Sequence, residues 1–242
     1  MEITQHPSPN FNQRHGGRPP DMLVFHYTGM ETMAGALERL TDRQARVSAH
    51  YLISEEGQLF QLVGEEKRAW HAGVSSWRGE RDINSRSIGI ELVNPGFEFG
   101  YRPFPERQMA RLEELAVDLL ARHVIKPQNI VGHSDVAPGR KSDPGELFDW
   151  ARLADQGIGL WAGEVHQGPP DEGREQAADI DWRDLQGKLS ALGYGLEPSG
   201  RDDAATGAVV TAFQRHWRQG GVSGRPDPHT LRVLDALLAL IG

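Results

Sequence analysis

The chain has 242 residues, of which 38% are hydrophobic and 25% are charged, and its formal net charge is −8. This composition is typical of a globular protein with one good-sized domain, or one domain and a small module. The acidic balance argues against a nucleic-acid-binding protein, which would need a basic face. No run of 18 apolar residues could form a membrane span. Without cysteine there are no disulfides, thiolate nucleophiles or cysteine metal sites.

Residues 1–21 are predicted to be an N-terminal extension. The segment is polar and lacks the basic start and the apolar core of a secretory signal. This favours a cytoplasmic location. The periplasm or cell envelope is the alternative, because a mature chain whose signal has been removed would look the same.

Residues 22–162 alternate between strand and helix patterns and are predicted to form one α/β domain. Short apolar runs rich in β-formers predict the strands, and apolar residues at helical spacing predict the helices. The predicted strands are 22–28, 47–54, 58–63, 88–93 and 129–132, and the predicted helices are 31–40 and 105–124. A turn signal at 55–57 makes the second and third strands a hairpin. The pattern indicates a mixed central sheet flanked by helices.

The composition changes after this region. Residues 163–180 hold little but Gly, Pro, Gln and acidic side chains, which predicts a linker. Residues 181–242 contain three helical patterns separated by Gly-rich turns, which predicts a small C-terminal three-helix module close to the lower size limit for a separate core.

Two histidines and one aspartate are candidate metal ligands. His26 lies in the first predicted strand of the α/β domain, and His133 directly follows the last one, where open α/β sheets place their sites. Asp143 follows ten residues later, across a Gly- and Pro-containing loop. Two imidazoles and a carboxylate leave one position open, as a catalytic zinc site requires. From spacing alone, the purpose of this site stays open.

Five blocks in the same order resemble the AmpD/AmiD type of N-acetylmuramoyl-L-alanine amidase, a zinc enzyme family related to T7-type lysozyme and to peptidoglycan recognition proteins. The blocks are FHYTG (25–29), SAHYLI (48–53), RAWHAGVS (68–75), SIGIELVN (87–94) and GHSDVAPGRKSDPG (132–145). The C-terminal patterns LQGKLSALGYGL (185–196), DAATGAVVTAFQ (203–214) and DPHTLRVL (227–234) are similar to a peptidoglycan-binding module.

The resemblance implies a role for each matching residue. His26, His133 and Asp143 would hold one zinc ion per chain, while Glu91 would act as the proton-transferring base and Lys141 as the charge that stabilises the oxyanion. By block position, the substrate-binding candidates are Tyr27, Trp70, His71 and Asn94.

The implied reaction is hydrolysis of the amide between N-acetylmuramic acid, or its 1,6-anhydro form, and L-alanine, in peptidoglycan turnover or recycling. Two alternatives stay open: a muropeptide-binding receptor without catalysis, and a peptidase that cuts within the stem peptide. A missing signal points to small anhydro-muropeptides as substrates, and the appended module points to polymeric peptidoglycan; we favour the muropeptides.

Overall fold

The computed structural model of the protein describes residues 1–163 and 180–242. Its strands are β1 (Thr4–Gln5), β2 (Phe11–Gln13), β3 (Met22–Tyr27), β4 (Tyr51–Ile53), β5 (Leu59–Gln61), β6 (Lys67–Ala69), β7 (Ser87–Leu92) and β8 (Ile130–Gly132). Its helices are α1 (Met33–Thr41), α2 (Ile83–Arg86), α3 (Gly96–Phe99), α4 (Glu106–Arg122), α5 (His133–Val136), α6 (Trp150–Asp155), α7 (Trp182–Leu192), α8 (Ala204–Trp217) and α9 (Pro228–Ile241).

Six strands form the central sheet, in the order β1-β5-β4-β7-β3-β8. The β4–β5 hairpin is antiparallel, and the other neighbours in this sheet run parallel. The predicted mixed sheet with flanking helices is therefore confirmed. Four of the five predicted strands are shorter in the structure, because their patterns extend into adjoining turns, and the fifth, β7, has the predicted length but begins one residue earlier.

Both faces of β3 are buried, which explains its unbroken apolar sequence. Leu23 and Phe25 face a core that includes residues of α4. Met22 and Val24, on the opposite face, share a core with residues of the three C-terminal helices. The C-terminal helices thus cover one face of the central sheet instead of standing apart from it.

The predicted N-terminal extension, residues 1–21, contributes two strands that pair with strands of the α/β domain. β1 adds to the edge of the central sheet, and β2 pairs with β6 in a separate two-stranded sheet. The buried guanidinium of Arg14 donates hydrogen bonds to backbone carbonyls of Glu65 and Ser87. Two- and three-residue exposed strands carry no apolar alternation, so the sequence pattern could not reveal them.

The three helices of the C-terminal module are confirmed in number and position within the range 180–242. The predicted linker, 163–180, lies almost entirely at 164–179, outside the described residues. Within 1–163 and 180–242, no helix combines the length and the apolar character needed to cross a bilayer.

The C-terminal helical region contains an internal repeat that helical periodicity does not reveal. The pattern Ser-Gly-Arg-x-Asp-x-x-Thr occurs at 199–206 and again at 223–230. In each copy a buried glutamine amide, from Gln186 or Gln214, donates to the serine hydroxyl, the arginine carbonyl and the threonine hydroxyl of the loop. The two loops are therefore built in the same way, and each leads into the N-terminus of a helix.

Candidate active site

The three candidate metal ligands converge at the carboxyl ends of neighbouring strands. Phe25 on β3 pairs with Gly132 on β8, so the residues that follow them, His26 and His133, come to lie side by side. Nδ1 of His26 lies 3.0 Å from Nδ1 of His133, and each of these atoms lies 3.0 Å from Oδ2 of Asp143. All three side chains are buried. His133 and Asp143, which follow His26 by 107 and 117 positions in the sequence, thus lie beside it in the fold.

The donor set fits a zinc ion. Ligand atoms at about 2.0–2.1 Å from a tetrahedral zinc lie about 3.3 Å apart, close to the separations in this cluster. Burial, with repulsion from His133 second, lowers the pKa of His26 to about 4. Burial alone would raise the pKa of Asp143, but the two imidazoles outweigh it and bring this pKa below its usual range. A neutral imidazole and a carboxylate are the forms that bind zinc.

A chain of hydrogen bonds fixes which nitrogen of His26 is free. The Ser87 hydroxyl donates to the Ile83 carbonyl at 2.6 Å, so it accepts from Nε2 of His71 at 3.0 Å. Nδ1 of His71 is then an acceptor, and Nε2 of His26 donates to it at 3.0 Å. The lone pair of His26 Nδ1 consequently faces the other two ligands, as metal binding requires.

Gly89 makes room for this chain of hydrogen bonds. A Cβ atom added to Gly89, in the middle of β7, would lie 2.6 Å from Nδ1 of His71. Only glycine lets the imidazole pack this closely over the strand. Burial lowers the pKa of His71 well below its usual value, which keeps the ring neutral and consistent with one donor and one acceptor nitrogen.

The other ring is oriented by the loop after β6. Nε2 of His133 donates to the carbonyl of Ala72 at 3.1 Å, which again leaves Nδ1 free for a metal. Arg140 donates to the carbonyls of Ala72 and Val74, at 2.7 Å each, and so ties this loop to the segment that carries Asp143. No sequence pattern distinguishes Arg140 from other loop arginines.

Glu91 and Lys141 lie at the same cavity as the ligands. Glu91 pairs directly with His26 across β7 and β3. Its Oε2 atom is buried and has no hydrogen-bond partner in the described residues. Burial, reinforced by the charge of Asp143, raises the pKa of Glu91 well above its usual value. The side chain of Lys141 is exposed at the cavity and makes no hydrogen bond or ion pair with any described residue, while its backbone amide donates to the Ala137 carbonyl at 3.1 Å.

The cavity has a volume of about 370 Å³, and Tyr27, Trp70 and His71 are among its lining residues. Asn94, the fourth substrate-binding candidate, is not brought to it. The Asn94 side chain is fully buried; it donates to the Arg102 carbonyl at 2.7 Å and accepts from the Gly96 amide at 3.0 Å. Its block position reflects the turn after β7, which needs an amide to hold it.

Two protein families match the chain. The family described as N-acetylmuramoyl-L-alanine amidase matches residues 16–146, and the putative peptidoglycan binding domain family matches residues 179–234. N-acetylmuramoyl-L-alanine amidase AmiD of Escherichia coli is 39% identical over 233 residues, which is 91% of this chain and 83% of the relative. The 1,6-anhydro-N-acetylmuramyl-L-alanine amidase AmpD of Haemophilus influenzae is 36% identical over 60% of this chain and 86% of its own length.

Solved structures show the same similarity. The complex of E. coli AmiD with the substrate anhydro-N-acetylmuramic acid-L-Ala-D-gamma-Glu-L-Lys has a TM-score of 0.80 and 36% identity, covering 96% of this chain and 98% of that one. Pseudomonas aeruginosa AmpDh3, in complex with an anhydromuramic pentapeptide, has a TM-score of 0.82 and 36% identity, covering 95% of each chain.

Proposed function

The chain belongs to the N-acetylmuramoyl-L-alanine amidase family, and we propose that it performs this family's reaction with one zinc ion held by His26, His133 and Asp143. The reaction is hydrolysis of the amide bond between N-acetylmuramic acid and L-alanine, in peptidoglycan recycling. Family membership makes the chain an enzyme of this type. The receptor and the stem-peptide peptidase, which the sequence left as alternatives, are therefore set aside.

One observation carries the metal proposal. Nδ1 of His26, Nδ1 of His133 and Oδ2 of Asp143 lie 3.0 Å from one another in a buried cluster. The other nitrogen of each imidazole donates a hydrogen bond outside the cluster, so both Nδ1 atoms keep a free lone pair. Two histidines with a purely structural role would not require both unprotonated nitrogens to face the same carboxylate oxygen. Zinc, when bound there, would polarise the substrate carbonyl and lower the pKa of water.

In this proposal Glu91 is the residue that transfers the proton. Glu91 lines the same cavity as His133 and Asp143, and its buried Oε2 atom has no hydrogen-bond partner in the described residues. A carboxylate with a raised pKa is a stronger base than a solvated one, so the Glu91 carboxylate can take a proton from the attacking water. The same carboxyl group then delivers that proton to the leaving nitrogen as the carbon–nitrogen bond breaks. The products are the muramyl lactyl carboxylate and a peptide with a free L-alanine amine.

Lys141 supplies a positive charge at the cavity, two residues before the ligand Asp143. Its ammonium group has no hydrogen bond or ion pair with the described residues, so it is available to the negative oxygen that develops on the substrate carbonyl. Losing one such donor typically costs about 10²–10³ in rate.

The cavity suits an acidic peptide linked to a sugar. Arg39 belongs to its lining and is exposed, and its guanidinium forms no hydrogen bond or ion pair with a described residue. The γ-linked glutamate of the substrate bound by E. coli AmiD leaves its α-carboxylate free. We therefore favour anhydro-muropeptides of this kind as substrates, with Arg39 as a cation for the stem peptide. The cytoplasmic location stays a prediction.

Metal removal and restoration test the proposal. Dialysis against a zinc chelator is expected to abolish hydrolysis of an anhydro-muropeptide, and one equivalent of zinc is expected to restore it. Asp143→Ala is expected to lose both bound zinc and activity, while Asp149→Ala, at an aspartate that caps α6 away from the cavity, should keep both. Full activity in chelator-treated protein without residual metal would contradict the proposal.

A further inference from the structure

A buried carboxylate connects the metal site to the C-terminal helices. Asp135 is completely inaccessible to solvent and accepts three hydrogen bonds of 2.7 Å each. The backbone N–H of Gly132 donates the first, the Tyr194 hydroxyl the second, and Nδ1 of His216 the third. The first bond closes the turn that contains His133, and the other two come from the C-terminal helical region, some 59 and 81 residues along the chain.

His216 is held rigidly for this contact. Its ring stacks between Trp150 and Trp217, with centroid distances of 3.6 Å to each and interplanar angles of 20° and 8°. Tyr194 packs edge-on against Trp77 at 5.1 Å. Both donors are therefore fixed by aromatic neighbours, and a fixed donor holds its acceptor more precisely than a mobile one.

The backbone around Tyr194 also docks directly on the amidase domain. The amide of Arg78 donates to the Gly193 carbonyl at 2.7 Å, and its guanidinium donates to the Leu192 carbonyl at 3.0 Å. A Cβ atom at Gly193 would lie 2.6 Å from the Trp77 ring, so only glycine allows this approach. The contact is thus a fitted interface, in which the Leu-Gly-Tyr sequence meets a complementary surface.

The turn held by Asp135 positions two of the three ligands. His133 lies in it, between Gly132 and Asp135, and the amide of Ser134 donates to the Asp143 carbonyl at 2.8 Å. A shift of this turn would move His133 and Asp143 together relative to His26, which is anchored separately on β3. Zinc tolerates such shifts poorly, because its ligand distances are narrowly fixed.

We propose that Tyr194 and His216 are positioning residues of the metal site, so that the C-terminal helices form part of its scaffold in addition to any contact with peptidoglycan. They act through Asp135 and touch neither the cavity nor the metal ligands. This inference rests on the proposed zinc site. It also means that deleting residues 164–242 would not test the wall-binding function alone, because the deletion would expose Asp135 and one face of the sheet.

The test measures zinc affinity of the full chain by competition with a chromophoric chelator, well below the unfolding temperature. Tyr194→Phe and His216→Leu are each expected to weaken zinc binding about 10-fold, at the lower end of the loss typical for partners outside the ligand shell. His216→Asn keeps an N–H donor on Cγ and should recover most of the affinity. Val210→Ala, on the same helix and in the same core but at a side chain that cannot hydrogen-bond to Asp135, controls for general destabilisation.

Each outcome decides the matter. Wild-type affinity in both Tyr194→Phe and His216→Leu would overturn the inference, as would an equal loss in Val210→Ala or no difference between the Asn and Leu variants at 216. Weaker zinc binding in Tyr194→Phe and His216→Leu, together with recovered zinc binding in His216→Asn, supports it. A wild-type chain that binds no zinc at all would instead contradict the proposed metal site.

Discussion

Replacing Glu91 by glutamine is expected to change activity and stability in opposite directions. The substitution keeps the size of the side chain and removes only its charge and its ability to accept a proton. Oε2 of Glu91 is buried without a partner in the described residues, and the nearby Asp143 carries the same charge. The ionised form of Glu91 is therefore unfavourable in the wild-type fold, as expected of a group that serves catalysis.

The magnitudes follow from these two features. Proton transfer by a positioned side chain contributes about 10²–10⁴ to a rate, so kcat of Glu91→Gln should fall by that factor, or about 3–5 kcal/mol in the activation barrier. A buried charged group without a partner costs about 1–3 kcal/mol or more. The metal-free variant should therefore unfold at a higher temperature than metal-free wild type, by about 2–4 °C for each kcal/mol relieved.

Two assays check this. Turnover of an anhydro-muropeptide is measured on zinc-loaded protein, and thermal unfolding is measured on chelator-treated protein. Zinc content should equal that of wild type, because Glu91 is not a ligand. Glu98→Gln, at an exposed glutamate on α3, is the matched control and should change neither quantity. A Glu91→Gln enzyme with wild-type kcat would refute the assignment of the base, and a lower unfolding temperature would refute the account of its burial.

Two further predictions concern groups around the site and away from it. His71→Ala should weaken zinc binding about 10–100-fold, because His26 loses the acceptor that fixes its tautomer; chelator competition measures this, exposed His15→Ala is the control, and unchanged affinity would contradict the hydrogen-bond chain. Burial alone would raise the pKa of Glu65, but hydrogen bonds from Arg122, Tyr51 and His123 lower it from 4.5 to about 2. The ionised Glu65 therefore stabilises the fold above about pH 4.5, and this contribution disappears as the pH falls towards 2. Allowing for partial exposure, Glu65→Gln should lose about 2 kcal/mol at pH 7 and show a shallower loss of stability in acid, measured by urea unfolding across pH; parallel pH profiles would contradict it.

The cluster of His26, His133 and Asp143 was predictable because strand ends carry its histidines. One predicted strand contains His26 near its carboxyl end and another ends directly before His133, which places both residues at one edge of the sheet. The loop from 134 to 142 contains the glycine and proline that let Asp143 fold back. Block resemblance then distinguished Glu91 and Lys141 from the other charged residues of the domain.

The supporting contacts could not be read in the same way. The His26–His71–Ser87 chain and the Asp135–Tyr194–His216 cluster join residues 16 to 81 positions apart through side-chain hydrogen bonds, which leave no periodic pattern. From the sequence alone, a tyrosine such as Tyr194 in a helical module is expected to pack in that module's core. Only the structure shows that its hydroxyl donates to the carboxylate of Asp135 in the α/β domain. Asn94 shows the converse limit, since a block position alone does not distinguish a turn-forming amide from a cavity-lining one.

Product analysis tests the central claim most directly. Zinc-loaded protein is incubated with anhydro-N-acetylmuramic acid-L-Ala-D-γ-Glu-L-Lys, and the products are identified by mass spectrometry, with Asp143→Ala as the control. We predict two products, the anhydro-muramic acid and an intact tripeptide with a free L-alanine amine, and neither product in the control. Cleavage within the peptide, or no cleavage by protein that holds zinc, would contradict the account.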